Sequence, residues 1–113
     1  MKWICEEYKH RKYKYRVTHH DVSINKTKLG CGLIFRNDHG EKFSDGIDFA
    51  IDGDRLYFRN INSGYKLQDT LNTDDIKHVY IKDNQLIKKL LVDFEGVYDL
   101  NYDVELGLYY VEK

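Results

Sequence analysis

The stretch IDFAIDGDRLYFRNI, Ile47 to Ile61, decides the fold. Ile47, Phe49 and Ile51 alternate with Asp48, Ala50 and Asp52. Successive side chains of an extended chain point to opposite faces, so this alternation sets an apolar face on a core and a polar face in water. Asp52, Gly53 and Asp54 follow, and an Asp-Gly pair suits a type I′ hairpin turn. Arg55 to Ile61 then returns as the partner strand.

The same period recurs on both sides. From Tyr98 to Tyr110 every even position is apolar or aromatic: Tyr98, Leu100, Tyr102, Val104, Leu106, Leu108 and Tyr110. This predicts a long strand, or a bent pair with Gly107 as a bulge. Between Lys12 and Thr18, Tyr13, Tyr15 and Val17 alternate with Lys12, Lys14 and Arg16. Val22 and Ile24, Cys31 to Arg36 and His78 to Ile81 read as further strands, and Asn37 to Lys42 as a turn. Two stretches carry a helical signal. Leu86, Ile87, Leu90, Leu91 and Phe94 have helical spacing, with Asp83 as N-cap and Gly96 beyond the C-terminus, yet the β-rich surroundings favour a strand over 84–95. Asp69 to Lys77 reads as a short helix. The expected fold is mainly β, with α+β as the alternative: a small antiparallel sheet or barrel-like domain with one or two short helices. Tyr13, Tyr15, Val17, Phe49, Ile51, Leu100, Val104 and Leu106 are expected to face the core.

At 113 residues and 42% hydrophobic content the chain is read as a single domain, 1–113, able to bury a core without metals or disulfides. It has no proline and no repeat. The N-terminal run is too short and too charged for a signal peptide, and no stretch approaches the ~18 apolar residues of a membrane helix, so a cytoplasmic protein is expected. Cys5 and Cys31 form no CxxC pattern; reduced thiols are expected, with a Cys5–Cys31 bridge as the alternative.

Net charge is −1, so information lies in its distribution. Residues 9–28 hold seven Lys or Arg against one Asp, and interleaved tyrosines make this a candidate nucleic-acid stripe through Lys12, Lys14 and Arg16. Those tyrosines fall on the opposite strand face, which suits stacking poorly. His19 and His20, adjacent on a strand, point apart and cannot share one ion. His10, His39 and His78 are scattered, and no zinc spacing, GxSxG or glycine-rich phosphate loop is present. No cofactor, no metal and no catalytic residue is therefore assigned.

Residues 38–54 and 93–113 each carry six Asp or Glu against one Lys. On a strand, like charges two positions apart lie about 6.6 Å from each other and repel. Such a face can imitate nucleic-acid phosphates and occupy a basic cleft. Asp48, Asp52, Asp99, Asp103 and Glu105 are the candidate docking charges. The expected function is a non-catalytic protein that inhibits a nucleic-acid-handling enzyme, its partner a basic protein. A small DNA- or RNA-binding module using residues 9–28 is the alternative. In general style (short, proline-free, rich in Lys, Asp, Ile, Asn and Tyr) the chain resembles small accessory proteins of phages and mobile elements, anti-CRISPR proteins among them, and that resemblance implies a Cas nuclease as the basic partner.

Overall fold

The computed structural model describes residues 21–28, 30–70, 73–82 and 84–113. The strands expected at Lys12 to Thr18, with Tyr13, Tyr15 and Val17 inward, lie outside the described residues, as do Cys5, His10, His19 and His20.

The Ile47–Ile61 reading holds. β3 (Ile47–Asp52) and β4 (Arg55–Asn60) pair antiparallel from Ile47↔Asn60 to Asp52↔Arg55. The loop is Gly53-Asp54, with Gly53 at φ 61° and Asp54 outside the positive-φ residues. Glycine at the first turn position with a left-handed φ is the type II′ pattern, rather than the type I′ turn expected.

β4 is continued by β9 (Leu108–Glu112), and β9 by β8 (Asn101–Asp103), giving one four-stranded sheet in the order β3-β4-β9-β8. The second sheet has five strands, β5-β6-β2-β1-β7: β1 (Val22–Thr27), β2 (Gly30–Phe35), β5 (Gln68–Thr70), β6 (Thr73–Ile81) and β7 (Gly96–Tyr98). All pairings are antiparallel. The domain is mainly β, and among the described residues the strands make two separate antiparallel sheets.

The core is one cluster that both sheets share. Ile24, Leu33 and Val79 sit abreast on the inner face of the five-stranded sheet, and Val22 and Phe35 beside them. Phe35 meets Phe43 and Phe58 at ring separations of 5.4 and 5.5 Å, and Phe43 and Phe58 are 5.9 Å apart. This aromatic triangle joins β2 to β4 through the 3-10 helix His39–Phe43. Phe49 and Ile51 are half-buried against the cluster, as is Leu100.

Three sequence expectations are corrected. Residues 84–93 form α1 (Asn84–Asp93) and not a strand. A strand would have left a lysine among the apolar residues on each face. The helix gathers Leu86, Leu90, Leu91 and Phe94 on one side and leaves Gln85, Lys88 and Lys89 in water. Leu90 and Phe94 are buried over β1 and β2. The described residues of 69–77 are not helical: Asp69 and Thr70 belong to β5 and residues 73–77 to β6, and Lys77 Nζ reaches Asp69 at 2.6 Å across the strands. The third correction concerns Tyr98 to Tyr110, which make three short strands. Val104 and Leu106 fall in the tight loop between β8 and β9 and are 84% and 59% exposed, not in the core. Alternation predicts facing only while the chain stays extended, and residues 104–107 turn.

Candidate docking face on the four-stranded sheet

The strand register sets the outer face of the four-stranded sheet. Asp48, Ala50 and Asp52 stand beside Arg59, Tyr57 and Arg55, followed by Tyr110 and Glu112, with Asn101 and Asp103 on the far strand. Residues 45–60 and 99–113 together hold eight carboxylates against Arg55, Arg59 and Lys113.

The five predicted docking charges do not form one row. Asp48 is held: Arg59 Nη2 lies 2.7 Å from its carboxylate, which also accepts the Phe49 N–H at 2.9 Å. Asp103 is held as well. Its Oδ2 pairs with Arg55 at 3.3 Å, and its Oδ1 accepts the Leu106 N–H at 3.0 Å. Arg55 is the hub of this face. Its guanidinium donates to Glu112 at 3.1 Å and to the Tyr57 hydroxyl at 3.3 Å, and stacks 4.2 Å from the centre of the Tyr110 ring. These hydrogen bonds, Tyr57 first and then Glu112, hold its pKa above the ordinary arginine value.

Asp52 stands at the β3–β4 turn, Asp99 in the link before β8, and Glu105 in the β8–β9 loop. All three are exposed. Asp52 is four strand positions from Asp48, roughly 13 Å. By register the β3–β4 turn and the β8–β9 loop lie at opposite ends of the sheet.

The β8–β9 loop is the feature that sequence reasoning missed. Asp103 braces it twice, its backbone oxygen accepting the Gly107 N–H at 2.8 Å and its carboxylate the Leu106 N–H. Gly107, at φ 66°, supplies the left-handed residue that returns the chain. Tyr102, 50% exposed, packs 4.8 Å from Tyr109. Tyr102, Val104 and Leu106 are therefore presented on a braced hairpin with Glu105 between them. Leu108 closes a shallow hollow of about 310 Å³ over Ala50, edged by Asp48, Tyr57 and Arg59.

A second constellation was also illegible. Asp21 and His39 approach to 3.0 Å across eighteen residues of sequence. The Asp21 carboxylate also accepts from Asn37 at 3.2 Å and from the Leu100 N–H at 2.8 Å. His39 Nδ1 lies 3.1 Å from Lys42 Nζ. Both ring nitrogens thus have protein partners. The arrangement fastens the β2 turn and the β7–β8 link to the start of β1, and it leaves no nitrogen to act on a substrate. Among the described residues no three His, Cys, Asp or Glu are grouped so as to hold a metal ion. Among those residues no helix is long and apolar enough to cross a membrane.

Lys12, Lys14 and Arg16 lie outside the described residues. No family model, curated protein or solved structure matches the chain.

Proposed function

We propose that this is a non-catalytic binding protein that docks through its four-stranded sheet onto the basic surface of a nucleic-acid-handling protein, such as a Cas nuclease, and blocks it. One observation carries the reading: the braced β8–β9 hairpin exposes Tyr102, Val104 and Leu106 with the exposed Glu105 between them. Exposing Val and Leu at a rigid tip contributes nothing to folding, whereas a small apolar anchor ringed by charge is how many interfaces concentrate their binding energy. Asp52, Asp99 and Glu105, exposed and without an ion pair among the described residues, supply long-range attraction to a basic partner. Asp48 and Asp103 hold the sheet and hairpin in shape.

The test uses immobilised wild-type protein and two variants, Val104→Asp/Leu106→Asp and Asp52→Lys/Asp99→Lys/Glu105→Lys, with bacterial lysate and mass spectrometry. The expected result is a basic nucleic-acid-binding protein retained by wild type, displaced by duplex DNA and absent from both variants. Retention of the same proteins by all three would overturn the reading.

A further inference from the structure

The outer face of the five-stranded sheet holds a different kind of site. Tyr80, on β6, is 58% exposed. Its ring lies across Gly32 on β2: a Cβ at Gly32 would come within 3.1 Å of Tyr80 Cε1 and 3.2 Å of Cδ1. Glycine inside a strand often marks a close approach, and here it gives the tyrosine room to lie on the sheet. His78 packs against the same ring at 5.0 Å and is itself held by Thr70 Oγ1, 3.0 Å from its Nδ1. Tyr80 is thus an exposed ring whose position is fixed by its floor and its neighbour.

Beside it a hollow of about 290 Å³ is lined by Thr27, Lys28, Tyr80, Ile81 and Lys82. Both lysines are exposed. The outer-face positions around the ring are Asn25, Thr27, Gly32, Ile34 and His78, and none is a carboxylate. This is the reverse of the four-stranded sheet, whose cations are largely occupied by its own acids.

We propose that Tyr80 stacks an unpaired base of single-stranded nucleic acid while Lys28 and Lys82 hold the flanking phosphates. A flat aromatic face accepts any base, and adjacent ammonium groups neutralise the backbone. A duplex, with its bases already stacked, cannot offer one to the ring. The site is independent of the proposed docking hairpin and differs from the basic stripe at Lys12, Lys14 and Arg16.

The experiment is fluorescence anisotropy with labelled twelve-nucleotide oligo-dT, oligo-rU and a duplex of equal length, across a series of salt concentrations. Wild type is expected to bind one or both single strands more tightly than the duplex, and comparing the two separates DNA from RNA. Tyr80→Ala should weaken binding roughly ten-fold, within the usual range for one stacked base, while Tyr80→Trp should keep it. Lys28→Gln/Lys82→Gln should flatten the salt dependence by a log–log slope of about 1.4, the single-strand value for two phosphates. Gly32→Val, which displaces the ring, should resemble Tyr80→Ala; if it does not fold, the Tyr80 pair decides. No binding by wild type, duplex preference, an unchanged Tyr80→Ala, or loss only on reversing Lys12, Lys14 and Arg16 would each overturn the proposal. None of these outcomes bears on capture by the β8–β9 hairpin.

Discussion

Asp21 shows how one side chain can hold distant parts of a small β domain. Burial pulls its pKa up, but the hydrogen bonds from the Leu100 N–H and Asn37, with His39 alongside, outweigh burial and leave it below the ordinary 3.8. A carboxylate with a depressed folded-state pKa adds stability above the unfolded value, and that stability is lost as pH falls through 3.8 toward the lower folded value. Asp21→Ala should therefore cost about 1–3 kcal/mol at neutral pH, because it takes the acceptor from the part-buried Leu100 N–H and removes the ties to His39 and Asn37. Urea titrations between pH 7 and pH 3 should show wild type and variant converging on the acid side. Parallel curves would remove Asp21 from this role. Cys31 is the opposite case: burial, with Glu95 next, pushes its thiol up to about 11. In a Cys5→Ser background, iodoacetamide at pH 8 should label Cys31 only once the protein unfolds.

Among the elements, the β3–β4 hairpin and the β8–β9 hairpin teach different lessons. The first was legible because alternation and a glycine turn agree, and both lie within fifteen residues. Even there, register alone could not grade burial. Phe58 is buried in the aromatic triangle, whereas Phe49 is only half-buried against Phe58 and Tyr65. Phe58→Ala should cost ~3–5 kcal/mol by chemical denaturation and Phe49→Ala clearly less; equal losses would contradict this packing. The second hairpin was misread because its even positions stay apolar straight through the turn. The acid positions suffered likewise: sequence places Asp48 and Asp103 on an outer face, but Arg59 reaches Asp48 from the adjacent strand and Arg55 reaches Asp103 from two strands away. Long-range pairs such as Asp21–His39 leave no local trace at all. α1 was the reverse failure, a correct local periodicity overruled by its surroundings.

At the scale of the molecule, the two sheets divide the chemistry between them, acid on one and a stacking ring with lysines on the other. Charge reversal should separate structural from free carboxylates. Asp52→Lys/Asp99→Lys/Glu105→Lys should leave the melting temperature within a degree or two, since none of the three belongs to the core. Asp103→Lys should lower it by several degrees, because it opposes Arg55 and frees the Leu106 N–H; a loss of ~1 kcal/mol moves Tm by roughly 4–8 °C in a small domain. Differential scanning calorimetry decides, and an unshifted Asp103→Lys would dismiss the brace. The strand order has a consequence for synthesis. β1 has β7 as its outer neighbour and β4 has β9, so each sheet recruits a strand from beyond residue 95. A ribosome that has released residues 21–81 has delivered the β3–β4 hairpin and the β1-β2-β6 ladder, but nothing to cover Leu33, Leu56 or Phe58 from the later strands and α1. Domains usually fold as units once their chain has emerged. The nascent protein must therefore keep these side chains from strangers until the last strands clear the exit tunnel, and a translational pause between residues 60 and 95 should lower its yield of soluble product.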